Sequence, residues 1–591
     1  MINMKEKPFY LTDEDCKWVE DTIAGMTLDE KIGQLFFNMG SSRDEDYLKM
    51  TVQKYHIGGI RYNPASADEV YEQNRILQEN SKVPLIIACN TENGGNGACT
   101  DGTMIGGQTK IAATGNPDYA YNLGKMSNRE AAAVGCNLSF APVSDILYNW
   151  ENPVIGLRSY GNDPEVVSTM VKAYMDGAHE NPGFACAAKH FPGDGLDFRD
   201  QHVANSVNTF SCEEWDATYG KVYKTLIDNG LEAVMAGHIM QPAYTRYYNP
   251  DIRDDDIMPA TLSPELIEGL LRKKLNFNGM VLTDASHMVG LTCRMKRSDM
   301  LPASIAAGVD MFLFFNDMEE DFNSMRKGYL DGVITDERLD DALHRILALK
   351  AHMGLHKKAR TELVPPKERV HEVVGCKEHV DMQKEIADKA ITLVKYKDQD
   401  VLPITPERYK RIMIVYVKGL EAPGLGMLFS ANKVSPAEKL RDKLKEKGFD
   451  AFIYESSIQK MMKQAQAGEK VDMNVYFAGK SAISDFVSGQ DLIITMVDIA
   501  GGFQPVARPS FGMTKGGGEI PWYVHELPVV VVGTQQPFVL ADIPQARTYI
   551  NTYDSADSTL DSLIKKLMQG KEAFTGKDPV DSFCGLMDTY I

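Results

Sequence analysis

The chain has 591 residues, with 63 Lys and Arg against 82 Asp and Glu, a formal net charge of −19 and a pI near 5.2. This charge repels phosphate backbones and anionic lipid surfaces, so we expect no nucleic acid as a partner. No run of about 18 apolar residues occurs that could span a bilayer, and the N-terminal stretch lacks the apolar core of a secretory signal. We therefore expect no membrane partner.

The nine cysteines indicate the redox environment. They are odd in number, scattered, and contain no C-x-x-C pair, which argues against a disulfide framework and a zinc site. We expect reduced thiols, a cytoplasmic location and no metal. The cysteines are Cys16, Cys89, Cys99, Cys136, Cys186, Cys212, Cys293, Cys376 and Cys584.

Short apolar runs alternate with stretches of helical spacing through the first part of the chain. Thr27 stands three residues before Glu30, a capping-box pattern that predicts a helix start. The alternation favours a (β/α)₈ barrel over a doubly wound open sheet, because polar residues end several runs and a barrel displays the C-terminal ends of all its strands. The predicted strands are residues 32–38, 57–62, 84–90, 137–141, 184–190, 233–238, 279–284 and 309–315.

The remainder of the chain predicts a second domain. The stretch from Met353 is charged and contains Pro365-Pro366, which is typical of a linker, and a helix ends near Lys389. The runs RIMIVYV, DAFIYE, DLIITMV, PVVVVG and RTYINTY then alternate with helical stretches, as in flavodoxin-like α/β layers. We predict a barrel over 1–355, a linker and helix over 356–390, and an α/β sandwich over 391–591. TKGGGEIPW lacks the residue order of a P-loop and is interpreted as a loop.

The stretch KHFPGDGLDFRDQH, residues 189–202, places many ionisable groups directly after an apolar run. Its proline and glycines predict a loop that displays these groups at a strand exit. Asp200 and His202 are one residue apart, so the carboxylate could bind one imidazole nitrogen and leave the other for proton transfer. From the residues alone, a surface ion pair or a metal site remains an alternative.

Two further stretches carry candidate site residues. FNGMVLTDASHM ends an apolar run at Asp284, which is either a nucleophile at the barrel mouth or the N-cap of the next helix. NWENPVIGLRSYGNDP is too irregular for a helix, and its Arg158 either grips oxygen atoms of a ligand or pins backbone carbonyls of the loop.

Taken together and in this order, NPVIGLRSYGNDP, KHFPGDG followed by D-x-H, and F-x-G-x-V-x-T-D resemble family 3 glycoside hydrolases of the β-N-acetylhexosaminidase branch. The resemblance covers residues 26–353 and extends to the second domain only in pattern. It implies a retaining double displacement with Asp284 as nucleophile, His202 as general acid and base, and Asp200 as its orienting partner.

The resemblance also implies a sugar-binding set and an activity. Lys189, His190 and Arg158 match residues that hold sugar hydroxyls and the acetamido group, and His238 is assigned a sugar contact. Met288 is interpreted as pocket wall. The implied enzyme removes terminal β-linked N-acetylhexosamine from oligosaccharides, with GlcNAc as the favoured sugar. The resemblance implies no cofactor.

The chain departs from the family pattern at two places. The usual D-x-E-G-G appears as CNTENGG, so Asn90 stands in place of the aspartate that binds sugar hydroxyls, while Glu92 keeps the acid. The identity of the sugar at its C4 and C6 positions is therefore left open. A histidine common in the family is Asp194 here, and Asp197 and Arg199 add charge to a loop that we expect to read a different aglycone.

Three alternatives stay open at this point. They are a β-glucosidase, a β-glycoside phosphorylase that uses phosphate as acceptor because a neutral imidazole repels no anion, and a carbohydrate-binding protein without catalysis. Assembly into a homodimer is left open as well.

Overall fold

The computed structural model describes residues 2–397, 400–418, 434–471, 482–499, 508–509 and 519–591. The chain divides into two compact units, the first comprising Met1–Gln108 with Asn116–Met382 and the second Thr109–Gly115 with Gln383–Ile591. Most of the stretch predicted as a linker therefore groups with the first unit. The TKGGG part of the predicted glycine-rich loop lies outside the described residues.

The first unit is the predicted (β/α)₈ barrel. Its eight strands are parallel and follow one another in chain order around the sheet, and a bridge between Leu282 and Met311 brings the last two together. A small ribbon, β6 paired with β8, lies outside this sheet. The strands are β1 Phe36–Met39, β2 Gly59–Arg61, β3 Ile86–Cys89, β4 Leu138–Ser139, β5 Ala185–Phe191, β6 Ser206–Val207, β7 Ala233–Ala236, β8 Ile239–Met240, β9 Met280–Thr283 and β10 Phe312–Leu313.

Each predicted barrel strand overlaps an observed one, and the start of the first predicted strand needs a correction. Residues 32–34 of the first predicted strand belong to helix Leu28–Gln34, because the Thr27–Glu30 capping box begins a helix that its apolar residues continue. The interior of the barrel is filled by large side chains. Phe37 of β1 and Phe140 after β4 have ring centroids 5.5 Å apart although two strands separate them, so this contact crosses the interior.

Helices connect the strands of the barrel, whereas Gln108–Ala113 groups almost entirely with the second unit and Lys377–Ala390 runs from the first unit into the second. Helical segments of π type interrupt or replace two of them, at Asp216–Gly220 and Glu265–Lys274. Among the described residues no helix is both long and apolar enough to cross a membrane. The helices are α1 Asp13–Ala24, α2 Leu28–Gln34, α3 Glu45–Lys54, α4 Ala67–Asn80, α5 Gln108–Ala113, α6 Pro117–Ala133, α7 Pro164–Ala178, α8 Cys212–Trp215, α9 Lys221–Asp228, α10 Pro242–Tyr248, α11 Val289–Thr292, α12 Arg297–Ala306, α13 Met318–Leu330, α14 Asp336–His352, α15 Glu368–Val373 and α16 Lys377–Ala390.

The second unit is an α/β layer domain built on a six-stranded sheet in the order β11-β16-β15-β14-β12-β13. All pairs are parallel except β11 with β16. The five predicted strands are confirmed, and the edge strand β11 was missed because it follows its helix without a turn signal. The elements are β11 Thr392–Tyr396, β12 Arg411–Lys418, β13 Asp450–Ile453, β14 Leu492–Asp498, β15 Val529–Gly533, β16 Thr548–Asn551, and helices α17 Pro436–Glu446, α18 Ser457–Gln466, α19 Ile483–Val487 and α20 Asp557–Gln569.

A buried carboxylate holds the N-terminal end of the barrel together. Glu232, just before β7, accepts a hydrogen bond from the Cys186 backbone of β5 at 3.1 Å and lies 2.8 Å from His179 Nε2 and 3.7 Å from His352 Nε2. Burial opposes the charge of Glu232, but the two histidines lower its pKa to about 2. Burial disfavours charged histidine as well, yet Glu232 raises the pKa of both rings.

The linkage predicts a stability window for this cluster. The depressed carboxyl pKa contributes stability above the ordinary value near 4.3, and the raised histidine pKa values contribute stability that is lost as pH rises through them. Glu232→Gln should therefore lower the free energy of unfolding by about 2 kcal/mol at pH 6 and by less at pH 9. Urea unfolding at both pH values measures this, with the exposed Glu165→Gln as control; an equal loss at both would contradict the assignment.

Candidate active site

Polar side chains from several strands meet at one end of the barrel. Asn90 follows β3, Lys189 and His190 lie near the end of β5, His238 follows β7, and Asp284 follows β9 directly. Because the eight strands are parallel, their C-terminal ends lie at the same mouth of the barrel. The predicted residues are thus brought together from positions almost 200 residues apart in the chain.

Asp284 is an ionised carboxylate at this mouth. Its backbone N–H donates to Ala236 O at 2.9 Å, which continues the β7–β9 ladder, and its Oδ1 accepts the Ala285 N–H at 2.7 Å. Its Oδ2 lies 3.8 Å from His190 Nε2. Burial opposes ionisation, but His190, His238 and the Ala285 N–H outweigh it and lower the pKa of Asp284 to about 2. The alternative of a helix N-cap is not observed, since α11 begins at Val289 with Met288 before it.

Asp145 orients His190. This fully buried residue, which follows β4, accepts His190 Nδ1 at 2.7 Å on Oδ2, and the His190 and Asp194 backbone N–H groups at 3.1 and 2.7 Å on Oδ1. The ring therefore presents Nε2 to Asp284. Sequence reasoning missed Asp145, although an aspartate a few residues beyond an apolar strand was a signal of the same kind as Asp284.

Glu92 is held by two cations. Arg158 donates to it through Nε and Nη2, both at 2.9 Å, and Lys189 Nζ lies 2.5 Å away. Burial raises the pKa of Glu92, but the two cations lower it well below its usual range. Burial lowers the pKa of Arg158, but Glu92 and then Asp145 and Asp284 raise it above its ordinary value, so this cluster lies within electrostatic reach of Asp284. The loop arginine predicted to bind either a ligand or backbone carbonyls here binds a carboxylate.

His202 and Asp200 form the predicted pair. His202 Nδ1 donates to Asp200 Oδ1 at 2.7 Å, and the His202 backbone N–H reaches the same oxygen at 2.8 Å. Asp200 is fully buried, whereas the His202 side chain is 27% exposed. The loop rests on the segment after β9, because the Val289 N–H donates to His202 O at 3.0 Å and the Gly290 N–H to Gln201 O at 2.9 Å.

The charged residues of the loop that we expect to contact the aglycone form hydrogen bonds and ion pairs that hold the loop itself. Asp194 is buried and accepts Asn152 Nδ2 at 3.0 Å, Gly195 N at 2.6 Å and Gln201 Nε2 at 3.2 Å. Burial and the nearby Asp145 raise the pKa of Asp194 to about 6. Asp197 pairs with Arg199 at 2.7 Å and accepts the Val207 N–H. These residues shape the loop that carries His202, and recognition of the aglycone by this loop stays a prediction.

His238 and Met288 are both buried. His238 Nδ1 lies 2.9 Å from Thr261 Oγ1 and Nε2 lies 3.0 Å from Ala285 O, so both ring nitrogens have protein partners and the ring braces the residue after Asp284. Burial lowers the pKa of His238. The assigned sugar contact of His238 stays a prediction, and it requires one of these bonds to yield.

Asn90 and Arg61 complete the mouth. Asn90 is half-buried, and within the described part of the chain its amide has no hydrogen-bond partner. Arg61 ends β2, and Glu92 is among the charges that act on it. Sequence reasoning missed Arg61, because one arginine after an apolar run is no more distinctive than a surface cation.

Comparisons with known proteins place these features in a family. Residues 27–349 match the glycosyl hydrolase family 3 N terminal domain. A "Beta-N-acetylglucosaminidase/beta-glucosidase" of Cellulomonas fimi is 39% identical over 594 residues, covering 100% of both chains.

Solved structures show the same two-domain fold. A beta-glucoside phosphorylase, BglX bound to 2FGlc, is 36% identical, covers 99% of both chains and superimposes with a TM-score of 0.89. A family 3 beta-N-acetylglucosaminidase from Paenibacillus sp. is 23% identical, with a TM-score of 0.75 over 95% of this chain and 100% of that one, which is a likeness of fold alone. The match over more than half of the chain, together with the full-length relative, identifies this protein as a glycosidase of glycosyl hydrolase family 3.

Proposed function

We propose that the protein is a retaining, exo-acting β-glycosidase that removes terminal β-linked GlcNAc or glucose through a glycosyl-enzyme intermediate. The observation that carries this proposal is Asp284, a carboxylate at the barrel mouth whose pKa of about 2 keeps it ionised at neutral pH. Its Oδ2 faces His190, while Oδ1 is steadied by the Ala285 N–H. In the first step a carboxylate oxygen attacks the anomeric carbon as the bond to the aglycone oxygen breaks.

His202 is proposed as general acid and base. Because Nδ1 donates to Asp200, the neutral ring carries its lone pair on Nε2. The imidazolium gives its Nε2 proton to the departing aglycone oxygen, and the neutral ring then takes a proton from the water that attacks the intermediate. The buried carboxyl group of Asp200 is proposed to stabilise the imidazolium form and to fix the plane of the ring.

The glycone side of the pocket is proposed to be formed by Lys189, Arg158, His190 and Asn90. Glu92 accepts from Nε and Nη2 of Arg158, so Nη1 is proposed to serve a sugar oxygen, while burial of Lys189 restricts the movement of its ammonium group. The double name of the Cellulomonas fimi relative supports a pocket that takes both GlcNAc and glucose.

Phosphorolysis is the second candidate. The beta-glucoside phosphorylase that is 36% identical over 99% of this chain favours it. A neutral imidazole at the acid and base position adds no negative charge that would repel a phosphate acceptor, whereas a carboxylate there would. Phosphate would then attack the anomeric carbon in place of water, and the product would be a sugar 1-phosphate.

The cytoplasmic location and a homodimer stay predictions. All nine cysteines are unpaired in the structure, which is compatible with the reducing environment expected from the sequence.

The nucleophile is tested by Asp284→Ala. We expect kcat on a nitrophenyl β-glycoside to fall at least about 10³-fold, because the covalent step is lost. Added azide should restore activity and yield the α-glycosyl azide, since a small anion then occupies the place of the carboxylate. The exposed Asp251→Asn is the matched control. Normal turnover by Asp284→Ala would disprove the assignment.

The acid and base is tested by leaving-group dependence. His202→Ala should slow a methyl or disaccharide β-glycoside about 10²- to 10⁴-fold, and a dinitrophenyl glycoside far less in its first step, because only poor leaving groups need protonation. Asp200→Asn should show the same pattern more weakly, because the amide no longer holds the His202 proton on Nδ1 and the ring then spends part of its time in the wrong tautomer. A uniform loss on all substrates would point to a structural role instead.

Hydrolysis and phosphorolysis are separated by the product. Initial rates on nitrophenyl β-GlcNAc and β-glucoside are measured with and without phosphate, and the sugar product is followed by NMR. A free sugar of β configuration, with no acceleration by phosphate, is expected for the hydrolase. Sugar 1-phosphate as the main product would establish the phosphorylase, and an initial α-anomer of the free sugar would exclude retention.

A further inference from the structure

Arg61 lies at the barrel mouth and has few hydrogen-bond partners among the described residues. It is the last residue of β2, paired in register with Met39 of β1 and Ala88 of β3. Its Nη1 donates to Met39 Sδ at 3.4 Å, and its Nε is buried without a hydrogen-bond partner among the described residues. A thioether sulfur is a weak acceptor, so this guanidinium keeps most of its donor capacity.

The alternation of the strands places Arg61 on the inner face of the barrel. Phe37 of β1 points inward, because it contacts Phe140 across the interior, and it is in register with Gly59 of β2. Since side chains alternate along a strand, Arg61 shares the inward face with Gly59, two residues before it. By the same register Ala88 and, two residues on, Asn90 lie on this face.

Arg61 stands across the mouth from the proposed acid and base. The strand order puts β2 four strands away from β7 in either direction around the closed barrel. The His202 loop is fastened on the far side, because Gln201 Oε1 accepts the His238 N–H at 2.8 Å and His202 O accepts the Val289 N–H at 3.0 Å. The aglycone departs beside His202, so the β2 side of the mouth faces the opposite end of the sugar.

Within the described part of the chain, no carboxylate forms an ion pair with Arg61. Glu92, the carboxylate that acts on it, is already bound by Arg158 and Lys189. A partly buried guanidinium without a carboxylate is costly in a protein, and a substrate that supplies oxygen acceptors removes that cost on binding. Asn90, on the same inner face, adds an amide whose donor and acceptor have no partner among the residues that the structure describes.

We propose that Arg61 is a specificity residue that donates hydrogen bonds, together with Asn90, to the oxygen atoms at C4 and C6 of the glycone. The inference rests on the proposed function, because it assumes that the anomeric carbon lies over Asp284. It concerns the edge of the sugar farthest from the scissile bond. That edge is the same in glucose and GlcNAc, which differ at C2, so Arg61 reads what these two sugars have in common.

The test combines one substitution with substrates that lack single hydroxyls. We expect Arg61→Gln to lower kcat/KM on nitrophenyl β-glucoside and β-GlcNAc about 10- to 100-fold, by the same factor on each, which is the value of a charge-assisted hydrogen bond. On the 4-deoxy or the 6-deoxy glucoside the loss should shrink to less than about 3-fold, because the bond is then already absent. Arg61→Lys, which keeps the charge but not the planar fork, should lie between.

Controls separate recognition from folding. Arg326→Gln on the surface helix α13 should leave every rate unchanged, and the melting temperature of each variant is measured alongside. Equal losses on the deoxy and the parent substrates, a changed ratio of glucoside to GlcNAc activity, or no loss at all would overturn the proposal.

Failure of the proposed function has its own signature. If the unsubstituted protein turned over no glycoside, the proposed function would fail, and calorimetric binding of glucose and GlcNAc would then decide the role of Arg61. Binding that is weakened in Arg61→Gln for glucose but not for 4-deoxyglucose or 6-deoxyglucose would support the role. No binding to the unsubstituted protein, or equal binding to both proteins, would reject it.

Discussion

The buried carboxylate of Asp145 is the contact on which the rest of the site depends. It accepts three hydrogen bonds, from the His190 ring, the His190 backbone and the Asp194 backbone. A single residue in the loop that follows β4 thereby fixes the end of β5 and the first turn of the loop that carries Asp200 and His202. A buried acceptor that is satisfied several times over tolerates little displacement, since each lost bond leaves a desolvated charge.

The electrostatics of the mouth divide it into two halves. On one side Arg158 and Lys189 bind the carboxylate of Glu92, which also acts electrostatically on Arg61. On the other, Asp284 stays ionised because His190 and His238 outweigh the effect of burial. A neutral sugar with many oxygen acceptors suits the first half, and the positive charge that develops at an anomeric carbon suits the second. Under the proposed mechanism, a neutral histidine beside Asp284 would repel an anionic acceptor such as phosphate less than a second carboxylate would.

Acidic residues have different surroundings at the surface and at this mouth. On the surface, many of the residues that contribute to the net charge of −19 lie in helix first turns and in exposed pairs with lysine or arginine. Such exposed pairs contribute little individually. The buried groups of the barrel mouth are instead bound to one another, and these bonds determine the protonation states on which the proposed chemistry relies.

Much of this protein was predictable from sequence, because local signals report strands and their ends. Eight apolar runs, the capping box at Thr27 and the polar residues that end the runs were enough to predict a barrel with Asp284 and Lys189 at its mouth. Spacing suggested that Asp200 and His202 could pair, since two residues separated by one position on a loop can meet without help from the rest of the chain, and the structure shows this contact. Contacts between distant segments carry no such local signal.

Tertiary structure alone decided which partner each charge has. The sequence could not show that Asp145 orients His190, that Asp194 is buried as a loop anchor, or that Glu92 is shared by Arg158 and Lys189. It also did not distinguish Arg61 from a surface cation. The physical reason is that the energy of a charge depends on its burial and on neighbours that closure of the barrel brings from other strands, whereas the strand pattern depends only on the residues beside it in the chain.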